Sequence, residues 1–319
     1  MKRKIITLLV LLMVVMLLTG CNTKPVKACY TVYPIEYILN RVAGSRIEIC
    51  KLSTEDPIQV ASVVENRGEV IEGATLFLQI GNLAPFWGMY ADEFQENDPA
   101  IIDLAAVSAL YDFKRYTTET VAGNQITIES SYYDGDVFSS IDMYTKDPNL
   151  WLDPMTMTSM ARTIKDWLVS AYPEEASYFE TNFKELEADL VRLDSHFSSI
   201  ENANIKIVTV TPSFGNWQRA YNVGVYPLIL SRFGALPTED QLALIIERIK
   251  ADEVKYITLE SNIRENVELM ELYNRVKNEC GLEEIELSNL STLTQKEFDS
   301  NKDYLTIMYD NLTALENIK

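Results

Sequence analysis

Six apolar residues near the middle of the chain, Phe179, Phe183, Leu186, Leu190, Leu193 and Phe197, recur at intervals of 4, 3, 4, 3 and 4. That spacing tracks the 3.6-residue period of an α-helix, so the six side chains share one face of a rod of about seven turns. The rod runs from Glu174 to about Ile200. An unbroken stripe of this length has to be covered by protein from end to end. The segments on either side show what covers it.

Before the rod, "KACYTV" at 27 to 32 reads as a strand, "PIEYILNRVAG" as a helix stopped by Gly44, and "RIEICKL" as a second strand. Strand, amphipathic helix and strand make a βαβ unit, which requires a parallel sheet with helices on its faces. The alternation continues with a helix near residues 57 to 66, the strand "ATLFLQI" ending at Ile80, and a helix beginning near Ala84. Residues 115 to 147 are polar and rich in Tyr and Asp, and read as a long loop or hairpin over the sheet. Helical signal returns at Pro154.

A second alternating run follows the rod: strands "IKIVTVT" and "VYPLIL", a helix over 238 to 251, strand "VKYITLE", a helix from about 264 to 278, and strand "EIEL". A final helix carries Tyr304, Ile307, Met308, Leu312 and Leu315. The predicted fold class is α/β: two similar three-layer α/β lobes with parallel sheets, joined by one long rigid spine helix. The boundaries this implies are an N-terminal lobe over 28 to 172, the spine over 173 to 203 and a C-terminal lobe over 204 to 319.

The first residues stand apart. Lys2, Arg3 and Lys4 precede an apolar run from Ile5 to Leu18, and "LTGC" closes at Cys21. A membrane span needs roughly 20 apolar residues, so this shorter run reads as an export signal over 1 to 20. Cysteine directly after Thr-Gly resembles the bacterial lipoprotein signal, in which that thiol takes the lipid. The expectation is an extracytoplasmic protein held to the cell membrane through Cys21, with 21 to 27 as a polar linker. Losing the signal removes three basic residues and no acid, leaving 25 Lys and Arg against 47 Asp and Glu, a balance of −22. So acidic a surface repels phosphate backbones and anionic lipid head groups, and nucleic acid is excluded as a partner.

Three cysteines then remain. Cys29 and Cys50 fall on strands expected to be neighbours, and an oxidising compartment permits a disulfide between them; two buried thiols are the alternative. No CxxC or Cys/His cluster exists, so a zinc finger or thiol redox site is ruled out. The chain also has no GxSxG, phosphate-binding glycine loop or HExxH, and an enzyme is not expected.

In open parallel sheets ligands bind beyond the carboxyl ends of the strands. That rule selects Ile58, Gln59, Asn82, Thr211, Glu260 and Asn289, which two facing lobes would bring to one cleft. Asn149, in "DPNLWLDP" at 147 to 154, either bonds a ligand or caps the turn that follows. Glu260, ending an apolar strand, must meet a ligand cation or a Lys or Arg of the protein, because an unpartnered buried carboxylate is costly. Trp87 and Trp217 either stack on a solute or pack in the core, while Trp151 and Pro154 read as packing. His196, the chain's one histidine, lies off the apolar stripe and reads as a solvated side chain.

The order of elements and the segments "YPIEYILNRVAG", "EDP", "IGNLAPFW", "DPNLWLDP", "YPEEASYFETNFKELEADLVRLD", "SFGNWQRAYNV" and "YITLESN" resemble the extracytoplasmic solute-binding lipoproteins of zinc and manganese ABC importers. The likeness covers the chain from about Ala28 onward. It implies a monomer that captures a divalent cation as transported ligand and hands it to a permease and its ATPase. It also implies that the family's metal ligands fall at Ile58, Asn149, Thr211 and Asn289, with Ser288 and Ser291 as competing alignments for the last. The family usually has histidine at the first two positions and histidine or glutamate at the third. An acid is usual at the fourth.

Zinc favours imidazole and thiolate and needs about four ligands with available lone pairs. Ile58 offers none, and Asn149, Thr211 and Asn289 offer neutral oxygens, so the resemblance leads to a site that holds transition metals poorly. A hard cation on oxygen ligands would find one carboxylate, Glu260. A register slip would bring in Gln59, Ser288 or Asp153. The functional expectation is therefore a solute-binding lipoprotein with a weak, atypical-metal or non-metal ligand. The alternative is a surface adhesin or scaffold that has lost its ligand.

Overall fold

The computed structural model describes residues 26 to 318 apart from 55, 56, 82, 97, 111 to 115, 130 to 134, 201 and 202. The expectations placed on residues 1 to 25, lipidation of Cys21 among them, and on Asn82 lie outside the described residues. No helix among the described residues is long and apolar enough to cross a membrane.

The first lobe is a parallel four-stranded sheet in the order β2-β1-β3-β4. Its strands are β1 (Lys27–Tyr30), β2 (Glu48–Lys51), β3 (Leu76–Gln79) and β4 (Ala100–Asp103). Helix α1 (Tyr33–Val42) crosses from β1 to β2, with Pro34 in its first turn, where a missing N–H costs nothing. Cys29 and Cys50 are direct partners in the β1–β2 register and are joined as a disulfide. That settles the alternative left open by their spacing.

The helix expected over 57 to 66 does not form. Leu52 accepts a hydrogen bond from Val64, Thr54 bonds Ser62, and Ser53 bridges Val63, so the segment's amides reach across the chain instead of four residues back. β-Branched Val63 and Val64 favour that extended pairing. The first helix of the stretch is a short one, α2 (Arg67–Ile71). After β3 comes α3 (Trp87–Phe94). Strands β5 (Tyr116–Val121) and β6 (Asn124–Glu129) form an antiparallel hairpin. It closes on Ala122 and Gly123, both at positive φ, the backbone of the mirror-image turns that suit the twist of paired strands.

Helix α4 (Pro154–Ala171) and helix α5 (Ala176–Phe197) pack along one another. All six stripe residues of α5 are buried. Burying six such side chains contributes on the order of 10 kcal/mol before the entropy of ordering the chain is set against it. The rod seats both lobes. Asn182 donates to the Val42 carbonyl at 3.0 Å and Arg41 pairs with Asp189 at 2.8 Å on the first-lobe side. On the other side Phe197 packs against Trp217 and Tyr221, whose hydroxyl bonds Asp194. His196 is exposed and tilted against Tyr309.

The second lobe is again parallel, in the order β10-β9-β7-β8. Its strands are β7 (Lys206–Thr209), β8 (Gly224–Pro227), β9 (Tyr256–Glu260) and β10 (Glu283–Leu287). Helices α6 (Gly215–Tyr221), α7 (Glu239–Ala251), α8 (Val267–Cys280), α9 (Gln295–Asp299) and α10 (Tyr304–Glu316) alternate with them or follow. One apolar core runs through the first lobe, the helix pair and the near face of this sheet, and a second fills the far face beneath α7 and α8. This is the expected two-lobe α/β architecture with a long helix between the lobes.

Replacing both half-cystines, as Cys29→Ala/Cys50→Ala, opens a loop closed across 21 residues of sequence. Loop-closure entropy sets the expected loss at roughly 3 kcal/mol, read as a lower denaturant midpoint in equilibrium unfolding. An unchanged midpoint would contradict the pairing.

Candidate functional site

Beyond the carboxyl end of β9 the chain buries a carboxylate completely. Glu260 is 0% exposed. Its Oε1 accepts from the backbone N–H groups of Val210 at 2.9 Å and Thr211 at 2.8 Å. Its Oε2 accepts from the Thr211 hydroxyl at 2.5 Å and the Asn289 amide at 2.8 Å. Since Thr211 gives its only hydroxyl proton to Glu260, the neighbouring Ser213 hydroxyl, 2.6 Å away, donates to Thr211. None of the four donors is a cation. The expected Lys or Arg is not among them; neutral hydroxyl, amide and backbone dipoles satisfy this charge instead. Burial pushes the carboxyl above its ordinary value of about 4.5, against the downward pull of the bonds from Thr211, Asn289 and Val210.

Asn289 is fully engaged. It exchanges amide bonds with Asn262 and accepts from the backbone N–H and hydroxyl of Ser291. The next residue, Leu290, is buried in a left-handed backbone at φ +59°. That conformation costs a branched side chain about 1 kcal/mol or more. It persists because the loop is fixed on both sides. Leu290 N–H bonds the Ser288 hydroxyl, and the Ser291 carbonyl accepts from Tyr33 of the first lobe.

The stretch "DPNLWLDP" forms the facing wall, and its two Asp-Pro pairs do different work. Asp147 accepts from both the backbone N–H and the side-chain amide of Asn149 at 2.9 Å, a local Asx turn. Asp153 caps α4 through Met155 and Thr156, with Pro154 at the first helical position, and pairs with Arg219 at 3.0 Å. Asn149 precedes the short 3-10 turn Leu150–Leu152 without capping it through its side chain. Its amide N–H₂ reaches the Pro212 carbonyl at 3.2 Å, while its Oδ1 is buried with no protein partner.

Four more buried bonds tie this wall to the second lobe. Asn216 donates to the Asn149 carbonyl, Trp151 to Asn289, Tyr304 to Trp151 and Trp217 to Leu152. Trp151 and Trp217 are therefore core residues bonded through their indole N–H, and Trp217 has no exposed face on which a solute could stack. Trp87 packs against Phe77 and Phe94 in the first lobe.

A profile described as "Zinc-uptake complex component A periplasmic" matches residues 29–318. The chain belongs to that family. It is 30% identical over 171 residues to the "Zinc-binding protein AdcA" of Streptococcus pyogenes serotype M1, covering 53% of this chain and 32% of that one. It thus spans about a third of that relative's length. The fold agrees with the structure of the "periplasmic zinc binding protein TroA from Treponema pallidum" at a TM-score of 0.70 and 14% identity, over 91% of this chain and 98% of that one. The laminin-binding adhesin Lmb of Streptococcus agalactiae gives a TM-score of 0.70 at 17% identity, over 91% and 98% of the two chains.

Within this zinc-uptake family frame, Thr211 and Asn289 converge on Glu260, while Asn149 lies next to them through Pro212. Ile58 is 2% exposed and belongs to the apolar core. Gln59 is buried, and its side-chain amide has no hydrogen-bond partner among the described residues. The loop carrying both is pressed against the second lobe at Gly234, where an added Cβ would come within 2.4 Å of Val60. Ser288 bonds Ser261 and Asn311. Among the described residues no group of three or more His, Cys, Asp and Glu is placed to hold a metal ion. Sequence position selected Glu260, Thr211 and Asn289 but not the four hydrogen bonds that Glu260 accepts. Two of those come from backbone amides, which carry no signature in a sequence.

Glu260→Ala would strand the Val210 and Thr211 N–H groups and the Asn289 amide, lowering the unfolding free energy by at least about 3 kcal/mol. Glu260→Gln keeps the shape but opposes its own N–H₂ to that of Asn289, for a loss of about 1 to 3 kcal/mol. A carboxyl with a higher pKa folded than unfolded gives stability that is full below about pH 4.5 and declines as pH rises through the folded value. Denaturant titrations should therefore show the wild type losing stability relative to Glu260→Gln as pH is raised from 4.5. Parallel curves would contradict the assignment.

Proposed function

We propose that the chain is the extracytoplasmic solute-binding component of an ABC importer, anchored through Cys21 and delivering its solute to a permease with its ATPase. Membership of the zinc-uptake family and the two-lobed frame support that role, which calls for capture and release and for no catalysis. We further infer that the cleft does not hold zinc or manganese tightly at the positions its relatives use. One observation carries this: Glu260, the carboxylate on which Thr211 and Asn289 of those positions converge, is engaged by four internal donors. To bind a metal, Glu260 would have to abandon the bonds that make its burial tolerable. Ile58 in the core and the amides Asn149 and Asn289 supply neither imidazole nor further negative oxygen.

The test is metal analysis of protein purified without chelators, with calorimetry against zinc, manganese and calcium. The expected result is well below one equivalent of either transition metal and no submicromolar zinc or manganese isotherm. One equivalent of either ion held with submicromolar dissociation would overturn the reading. Installing imidazole at the replaced positions, as Ile58→His/Asn149→His/Thr211→His, should tighten zinc binding by about tenfold or more. Circular dichroism would confirm that the variant is folded. No gain in a folded variant would mean that the cleft fails for reasons other than missing ligands.

A further inference from the structure

The residues at the centre of the cleft are sealed from solvent. Asn149 and Glu260 are 0% exposed, Asn289 1% and Thr211 2%. A protein that captures and releases a solute there has to open somewhere, and the spine, seated in both lobes, leaves the halves little room to part. At one place on the seam, a short turn of the first lobe rests on a fixed loop of the second.

That turn covers 57 to 60 and is closed by a bond from the Val60 N–H to the Pro57 carbonyl at 2.9 Å. Residues 62 to 64 pair back to 52 to 54 through Ser62 with Thr54, the Ser53–Val63 bridge and Val64 with Leu52. The Ser53 hydroxyl ties this pairing to the Thr31 carbonyl just after β1. The base is thus fastened to the first lobe. The tip meets the second, where a Cβ on Gly234 would fall 2.4 Å from Val60 Cγ1 and 3.5 Å from the Gln59 carbonyl oxygen. Gly234 also lies at φ +70°, so the seat demands glycine twice over.

The loop under the tip is braced. Gly234 N–H bonds the Ser231 carbonyl and Phe233 N–H the Ser231 hydroxyl, while Met143 bridges Ser231. Asp142 holds Arg232 through a backbone bond and an ion pair, both 2.9 Å. The segment carrying Asp142 and Met143 is anchored by Phe138, 1% exposed in the core of the second lobe, and runs on to Asn149. The loops after β7 and β8 leave adjacent strands and are joined by Ile229 N–H to the Val210 carbonyl at 3.0 Å. The seat and the sealed cluster are therefore neighbours.

Two opposed terms act on the turn. Ile58, 2% exposed in the apolar core, favours the shut position. Gln59, 3% exposed, carries an amide whose oxygen and nitrogen both lack a partner among the described residues, and water would satisfy them. An apolar grip set against a stranded amide leaves little free energy between shut and lifted.

We propose that the turn over 57 to 60 is a lid on the interlobe cleft. It lifts off Gly234 to admit and release the solute and reseats to seal it, while the spine holds the lobes in place. The proposal rests on the solute-binding reading and gives that reading its route of entry.

A thiol placed in the sealed cleft tests it. In Asn149→Cys, mass spectrometry measures how fast a small alkylating reagent modifies that position in the mature chain. Adding Gly234→Ala, which wedges a methyl group under Val60, should speed modification by roughly tenfold or more. In a Val60→Ala background the wedge has nothing to strike, and the effect of Gly234→Ala should largely disappear. Alanine at positive φ is equally strained in both backgrounds and cannot account for that difference. Gln59→Leu, which removes the stranded amide, should slow modification. Hydrogen exchange in α5 should stay unchanged throughout, showing an intact fold. The proposal is overturned by a rate indifferent to Gly234→Ala or to Gln59→Leu, by an acceleration that survives Val60→Ala, or by α5 exchange rising in step with labelling. No solute enters the measurement, so its failure sinks the lid alone. The metal and calorimetric measurements decide the solute-binding reading separately.

Discussion

A negative charge without water is the condition around which the middle of this molecule is arranged. Glu260 sits at the end of a buried strand, where an isolated carboxylate would cost several kcal/mol. Two separate segments turn dipoles toward it: the loop just after β7, through the Val210 and Thr211 backbone and the Thr211 hydroxyl, and the loop after β10, through the Asn289 amide. The ends of three strands of the second lobe are thereby held in register by one side chain. Bonds from Trp151 to Asn289 and from Asn149 to Pro212 carry that order across to the facing wall.

The same arrangement bears on the metal-poor reading proposed for the cleft. Where a metal draws several side chains to one point, those side chains need lone pairs to give. In this chain the convergent groups satisfy one another, with amide against amide at Asn262 and Asn289 and hydroxyl against carboxylate at Thr211 and Glu260. Ile58 offers no polar atom from its side chain and fills core space.

The fold was legible wherever periodicity was long. The stripe from Phe179 to Phe197 needed no tertiary knowledge, and all six residues are buried. Short elements were harder. β4 is four residues of intermediate or exposed side chains after Pro99, with no alternation to mark it, and α6 is seven residues in a stretch that sits unassigned between two expected strands. The failed helix at 57 to 66 shows apolar spacing without a helix, because β-branched residues found cross-chain partners. At the site, sequence identified Glu260 as a carboxylate in need of company, and the protein supplies neutral donors where a Lys or Arg was one expectation. Donors supplied by the main chain leave no mark on residue type. Cys29 and Cys50 were placed on adjacent strands correctly, and pairing register decided the rest.

The shared rod carries an implication for how such a protein announces that it is loaded. With α5 bonded to the first lobe at Asn182 and packed against the second through Phe197, neither half can swing far without tearing contacts that line its whole length. On the importer role proposed above, a docking permease would sense no wide jaw movement, and the loaded state would show itself as a small, local change in surface shape at the rim.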